Sequence, residues 1–585
     1  MPNLHRFAVV DGGATEQVVS GLERLDRFER EAARTRTVVV HDTFDWRVHL
    51  DGGRLEHVRE AATGRGRRAR PAALVWRDRE TGEERGRWEV AQVPRFVWDL
   101  PPGPVTDRLA GVVEMRALLP LARVESSLTT LRLLDDEDKT VARVVVEEAD
   151  LVGEPRRGLG VVVEVVPLRG YARHAERLAS RLAGRDDLEP GGEDLIARAL
   201  VTAGHAPGGY SSKLRLSLDP SSTALAAWAE VLRTLHATMA ANLDGTVGDV
   251  DSEFLHDFRV AVRRTRSVLG EAKGVLPAGL LARVRREFKW LGDITTPTRD
   301  FDVYLLTLPS FVDGLPPERR DDLDAFGTFL ARHQKKAQRA MAGALTSDRF
   351  TELNRDWSAF LDDPEGAAAT AGDRPPLADE PAPAVAARRI WKAYRRLVEL
   401  GRSITDDSPP TDLHELRKDG KRLRYLLECF GSLFPTEQVD PLVKELKVLQ
   451  DVLGEYQDCH VQIESLGELG QQMLDEGGTG AAALLAMGHL VDQIDHRQHE
   501  VRGQFAERFA RFDAPTVRRR FRSTFHPRTG ASDAVAAPAS SDAVTPSTDG
   551  TGAATDEDGV LVGGAGTGAT TPGSAGDGAG DGGGS

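Results

Sequence analysis

A segment of this 585-residue chain occurs twice. Residues 256–305, beginning HDFRVAVRRTRSVLGEAKGVLP, realign on residues 414–463, beginning HELRKDGKRLRYLLECFGSLFP, without a gap and at a constant offset of 158. Shared positions include His256/His414, Arg259/Arg417, Arg264/Arg422, Arg266/Arg424, Pro277/Pro435, Lys289/Lys447 and Asp300/Asp458. Arg263/Lys421 and Arg286/Lys444 change residue and keep positive charge. A repeat that preserves cations better than apolar identity points to a duplicated anion-binding surface on two related halves.

On a helix advancing by about 100° per residue, Arg259, Arg263 and Arg266 fall within roughly 80° of His256. Leu255, Phe258, Val262 and Leu269 form a neighbouring apolar stripe that faces a helical interior. The second copy sets His414, Arg417, Lys421 and Arg424 beside Leu413, Leu416, Leu423 and Leu427. Within 256–268 the only acid is Asp257. A solvated face with each charge paired is the ordinary alternative, but clustered cations without acids repel one another, and here the cluster is duplicated.

Guanidinium forks match phosphate oxygens bidentately and lysine adds point charge. There is no GxxxxGK[ST] loop, so a nucleotide cradle is not expected. Aromatic residues do not interleave with the cations as stacking on single-stranded nucleic acid requires. The remaining target is a flexible polyanion read by charge; nucleic acid is not the expected ligand and enters only as a polyanion that could compete. The two histidines fit either donation to phosphate or ordinary bonding to their helix neighbours. His496, His499, Asp492 and Asp495 have ligand-like spacing but read as a solvated face, so no metal site or cofactor is expected.

The regions around the repeat differ in pattern. Residues 1–203 read as mainly β, with hairpins over 41–58, 73–90 and 127–152 and a β-branched run at 158–168, then helices at 172–183 and 193–203. Meandering hairpins predict an antiparallel barrel or sandwich. Residues 204–220 read as a linker, and 221–525 as overwhelmingly helical. The helical region divides into halves at 221–361 and 388–525, joined by a mobile Ala/Pro/Gly/Asp loop over 362–387. Residues 526–585 lack the apolar content for a core and read as a disordered tail.

Net charge is −15, which argues against a generally basic nucleic-acid binder. The tail beyond Arg528 holds eight acids and no Lys or Arg, so much of that excess is local. No secretory signal or membrane-spanning stretch is present, and Cys429 and Cys459 make no disulfide framework, so a cytoplasmic protein is expected.

The run His256–Ser267, with Lys289–Leu291 and Arg299-Asp300-Phe301-Asp302, resembles the CHAD domain, the conserved histidine α-helical domain. His414–Tyr425 and Gln457-Asp458 resemble its degenerate second half. The resemblance covers about 211–525. It implies two helical bundles related by a pseudo-twofold and a basic groove for inorganic polyphosphate; association with polyphosphate granules is a separate expectation. Carried over, it points to His256, Arg259, Arg263, Arg266, Lys289, His414, Arg417, Lys421, Arg424 and Lys447, with Lys213 at the family's N-terminal edge. The repeated cations Arg264, Arg286, Arg422 and Lys444 are assigned to the same surface. Gln457 and His460 stand where the first copy has Arg299 and Asp302, so unequal binding by the halves is expected.

The first region resembles a degenerate CYTH domain, the triphosphate-tunnel barrel, over roughly 30–185. HDTFDWRVHL, LPLARVESSLTTLRLLD and VVVEVV carry the likeness. The family's E-x-E-x-K is absent, since residues 4–9 read LHRFAV, and its R-x-R-x-R run is reduced to Arg123 and Arg132. Glu147, Glu148, Asp150 and Glu164 could rebuild a metal site, although surface charge is the plainer reading. The expectation is therefore α+β, a CYTH-like barrel followed by an all-α CHAD domain, binding polyphosphate with no catalytic residue. The alternatives are a metal-dependent triphosphatase fed by the helical region, and an interaction scaffold whose cations pair internally.

Overall fold

The computed structural model describes residues 5–10, 14–61, 70–191, 194–370, 374–477 and 480–526. The expected tail lies, from residue 527 onward, outside the described residues. The chain divides into two compact units, residues 1–214 with 249–257, and residues 215–248 with 258–585.

In the first unit, β1 (His5–Val9), α1 (Thr15–Glu23), β2 (Phe28–Arg30), β3 (Arg34–Asp42), α2 (Arg47–Leu50), β4 (Gly53–Glu60), β5 (Ala73–Asp78) and β6 (Glu84–Glu89) come first. Then follow α3 (Pro104–Val113), β7 (Leu119–Leu134), β8 (Thr140–Leu151), β9 (Arg157–Pro167), α4 (Ala172–Leu182), β10 (Leu188–Pro190) and α5 (Leu195–Thr202). The strands form one antiparallel sheet in the order β10-β1-β9-β8-β7-β3-β4-β5-β6, with β2 added to β7. The barrel expected from the hairpins is not closed: β10 and β6 are the two ends of this order and do not pair with each other. The hairpin turns stand where sequence placed them. Gly82, at φ 72°, turns β5 into β6, and residues between Leu134 and Thr140 turn β7 into β8. Between β3 and β4 a helical turn intervenes, because Asp42 accepts hydrogen bonds from the backbone N–H of Thr43, Val48 and His49 and so caps α2.

Each face of the sheet buries its own apolar set. On one, Val144, Val146, Val163 and Val165 pack under α1 and α4 through Val18, Leu22, Leu178 and Leu182. On the other, Val38, Val40, Val124 and Val162 pack under α5 through Leu195, Ile196 and Ala199.

Residues 249–257 return to this unit, which the expected boundary at 203 did not anticipate. The cause is Arg116. Its side chain is 1% exposed and meets Asp251 at 3.2 Å, Asp257 at 2.7 Å and Asp45 at 3.5 Å. Tyr210 donates to Asp257 at 3.1 Å, and Arg95 donates to the Val250 carbonyl at 2.7 Å. Burial raises the Asp257 carboxyl, and Arg116 only partly offsets that.

The second unit is helical. It holds α6 (Ala224–Val247), most of α7 (Ser252–Gly270), α8 (Ala278–Asp313), α9 (Asp324–Leu345), α10 (Asp348–Asp362) and α11 (Pro364–Thr370). After these come α12 (Ala382–Ser403), α13 (Pro410–Phe430), α14 (Thr436–Glu476), α15 (Ala481–Phe512) and α16 (Pro515–Phe525). The stretch 362–387, expected to be a mobile loop, instead holds α11 and the start of α12. It is tied down by backbone bonds from Leu377 to Gly274, from Leu225 to Ala378 and from Ala382 to Ser222; residues 371–373 within it lie outside the described residues. No described helix is long and apolar enough to cross a membrane.

Stripping a partner from a buried charge cluster costs about 3–5 kcal/mol. Arg116→Met is therefore expected to lower the unfolding free energy by about that much in urea denaturation of the full chain. Arg123→Met, at a side chain 56% exposed, should stay within about 0.5 kcal/mol of wild type.

Candidate functional site

The repeat maps onto two helix pairs, α7 with α8 and α13 with α14. Pro277 and Pro435, a shared repeat position, immediately precede α8 and α14. The apolar stripes are buried as the spacing predicts: Leu255, Phe258, Val262 and Leu269 in α7, and Leu413, Leu416, Leu423 and Leu427 in α13. The cations lie along the edge of those faces and divide by depth.

Deepest are Arg259 and Arg417, each 4% exposed. Arg259 reaches across to α8, donating to the hydroxyls of Thr295 at 2.7 Å and Thr296 at 3.0 Å and to the Gly292 carbonyl at 3.3 Å. Pro297 lies inside α8 next to these threonines, and a proline in a helix removes one ladder donor. Arg417 bonds Asp458 at 3.0 Å. Gly292 also makes room for Arg266, since a Cβ there would stand 2.8 Å from Nη1 of that guanidinium. Gln450 occupies the matching position in the second copy, and Arg424 turns to Glu428 at 2.6 Å.

Burial pushes Arg259 down to about 9, and the adjacent Arg263 pushes in the same direction; Asp300 opposes them, while Arg299 and Arg266 add to the depression. Three further guanidiniums thus bear on Arg259, and Asp300 opposes them. Asp300 itself is pushed up to about 6 by burial, against the pull of Arg259 and Arg299. In the second copy Gln457 replaces Arg299, so a cation is missing where the first copy is densest.

Arg264 and Arg422 have a different role. Arg264 pairs with Glu428 at 3.1 Å and Arg422 pairs with Glu271. Each repeat therefore reaches an acid at the end of the other repeat's motif helix, and these two cations tie the copies together. His256 is half-buried and His414 is 9% exposed. Arg263 and Lys421 are half-buried along the stripe. Arg286, Lys289, Lys444 and Lys447 form the exposed tier; Arg286 lies 3.1 Å from Glu287 and Lys289 lies 3.3 Å from Asp293. Lys213 is exposed at the end of the first unit, outside the unit that holds the exposed tier.

A second charged site was missed from sequence. One face of the sheet encloses a cavity of about 280 Å³ lined by Arg6, Arg36, Arg54 and Arg77 with Glu56, Glu147, Glu164 and Asp194. Strand register puts the lining strand residues on that face: Arg36 and Val38, two apart on β3, share it, and Arg6 stands opposite Glu164. The signs cancel. Arg36 bonds Glu147 at 2.7 Å, Arg6 lies 3.4 Å from Glu164, Arg77 lies 3.3 Å from Glu56, and Arg54 pairs with Asp194. Burial raises Glu164. Of the acids considered for a rebuilt metal site, Glu147 and Glu164 are thus engaged by arginines, Asp150 pairs with Arg156, and Glu148 accepts from Thr15. Among the described residues no three His, Cys, Asp or Glu side chains gather to hold a metal ion, so these residues do not fit the divalent cation that the CYTH resemblance implies. Arg123 and Arg132 likewise pair with Glu125 and with Glu29 and Glu31.

The CHAD domain family model matches residues 230–467. The uncharacterized protein Rv2226 of Mycobacterium tuberculosis (strain ATCC 25618 / H37Rv) is 29% identical over 294 residues, 47% of this chain and 53% of the relative. The uncharacterized protein MT2285 of strain CDC 1551 / Oshkosh is 28% identical over the same length. The chain spans about half the length of the curated relatives it matches. Among solved structures, the CHAD domain from the plant Ricinus communis is 25% identical with a TM-score of 0.40, covering 53% of this chain and 96% of that one. PptA from Streptomyces chartreusis is 18% identical with a TM-score of 0.37, covering 49% and 99%.

Asp300 yields a pH test. The folded chain keeps its proton up to about pH 6, whereas the unfolded chain releases it near the ordinary value of 3.8. Its contribution is thus fully present below about pH 4, declines as pH rises to about 6, and is constant beyond. Asp300→Asn removes that decline. Its unfolding free energy relative to wild type should rise by up to about 3 kcal/mol from pH 4 to 6 in urea titrations; a pH-independent difference would contradict the assignment.

Proposed function

We propose, from the CHAD domain at residues 230–467, that this chain binds inorganic polyphosphate without hydrolysing it, and does so at polyphosphate granules. The observation that carries the reading is that Arg263, Arg299 and Arg266 all bear on the buried guanidinium of Arg259, with the carboxylate of Asp300 opposing them. Such a cluster raises a positive potential that a flexible phosphate chain lowers. The exposed tier of Arg286, Lys289, Lys444 and Lys447 is where successive phosphates meet cations without disturbing the helix packing. Arg259 and Arg417 serve from behind, as buried charges that hold the helix pairs and add to the field. Arg263, Arg266, Lys421 and Arg424 lie between these tiers, with His256 and His414 one helical turn before the buried pair. The first copy, which keeps Arg299, is the stronger half.

Hydrolysis on the sheet unit gains no support from its cavity, where each arginine already faces a carboxylate of the same chain. The scaffold alternative is distinguished by its lack of polyanion binding.

The test is a titration of long-chain polyphosphate at several salt concentrations, with wild type and R286A/K289A/K444A/K447A. These four side chains are exposed, so the variant is expected to keep its fold. The expected outcome is binding about tenfold or more weaker, with a shallower slope of log affinity against log salt, because fewer phosphates are neutralised. Equal binding by both chains, or none by wild type, would sink the reading.

A further inference from the structure

A second cationic surface lies on α12 and α16, outside the repeated segments 256–305 and 414–463. Tyr394 of α12 stacks on Phe521 of α16 with ring centroids 3.9 Å apart. Trp391 meets His526, and Arg402 pairs with Asp513, so the two helices run antiparallel. The next residue along each helix, Arg395 and Arg522, is rotated by about 100° from the stacked rings. Because the helices are antiparallel, these rotations carry both side chains to the same side of the pair. Lys392 and Arg519 flank them, and all four are exposed.

Cations around the rim have partners: Arg388 has Glu380, Arg402 has Asp513, and Arg511 has Glu445. The four at the centre pair with no carboxylate among the described residues; Glu399 is the acid on the exposed side of α12. The segment following α16 supplies what they lack. Beyond Arg528 the chain carries eight acids, including the run Asp556-Glu557-Asp558, and no Lys or Arg. α16 ends at Phe525, so this segment is tethered beside the surface. A covalent tether converts association into an intramolecular event, which raises the effective concentration of the acids at this face. Weak charge pairs suffice at that concentration.

We propose that the acidic segment of this chain, residues 529–585, docks through its carboxylates on the α12/α16 face centred on Arg395 and Arg522. The contact is electrostatic and reversible, and it shields this face from other anions. It does not depend on polyphosphate binding at the repeat.

Lys392 is the amine within the patch, and zero-length carbodiimide coupling joins a carboxylate only to an amine in contact with it. The full chain is crosslinked as an equal mixture of ¹⁵N-labelled and unlabelled protein and mapped by mass spectrometry. Lys392 is expected to be the main lysine joined to Asp533–Asp581, within single chains. The yield should fall about fivefold or more in about 1 M salt, where the screening length is about 3 Å. It should fall equally in R395E/R519E/R522E, which keeps Lys392 and replaces only exposed side chains. The salt series on wild type reads the contact independently of whether that variant folds. Coupling mainly to Lys289, Lys444 or Lys447 would overturn the proposal by placing the acids on the repeat surface. Coupling spread evenly over the lysines, absent, or confined to mixed-isotope pairs would overturn it as well.

Discussion

The helical unit is organised around a guanidinium that cannot leave its place. Arg259 is buried between α7 and α8, and its Nη1 donates to two threonine hydroxyls and a backbone carbonyl beside a proline in the helix. Removing a charge from water is tolerated only where hydrogen bonds replace hydration, so this contact sets how the two helices lie. The same requirement is met differently in the second copy, where Arg417 faces Asp458 directly. Arg264 with Glu428 and Arg422 with Glu271 then join the copies reciprocally. The conserved charges of the repeat thus divide between structural and outward-facing work. The outward stripe has a fixed geometry because the inward cations hold the helices.

Much of this was legible in the sequence, for a local reason. Helical periodicity is a short-range property, and the buried set Leu255, Phe258, Val262 and Leu269 follows from it alone. The turns at Gly82 and after Leu134 were legible because they depend on neighbouring residues. Depth was less legible: Arg259 and Arg286 read alike as repeat cations, yet one is buried and one exposed. Spacing places a residue on a face but does not show how closely the facing helix approaches.

What the sequence hid depends on long-range pairing. The capture of residues 249–257 by Arg116 joins positions more than a hundred residues apart. The open sheet, in place of the expected barrel, depends on whether β10 and β6 meet, which no hairpin signal encodes. The charged cavity arises because Arg6, Arg36, Arg54 and Arg77 come from four different strands onto one face. Each alone looks like an ordinary surface arginine, although the spacing of Arg36 by two residues from Val38, and of Val38 by two from Val40, was a usable sign that it shares their inward face.

The two charged regions share a composition and differ in balance, and balance decides what each can recruit. In the sheet cavity four arginines meet four carboxylates, so an arriving anion would have to displace an existing partner while losing its own hydration. In the first repeat, Arg259, Arg263, Arg266 and Arg299 surround a region whose carboxylate, Asp300, is itself raised by burial. Protonation of Asp300 leaves the guanidiniums less compensated, so lower pH strengthens the positive field of the stripe. The acidic net charge of the chain does not alter this, since screening limits surface charges to about 8–10 Å. What an anion senses at either site is the local balance of charge and not the net charge of the chain.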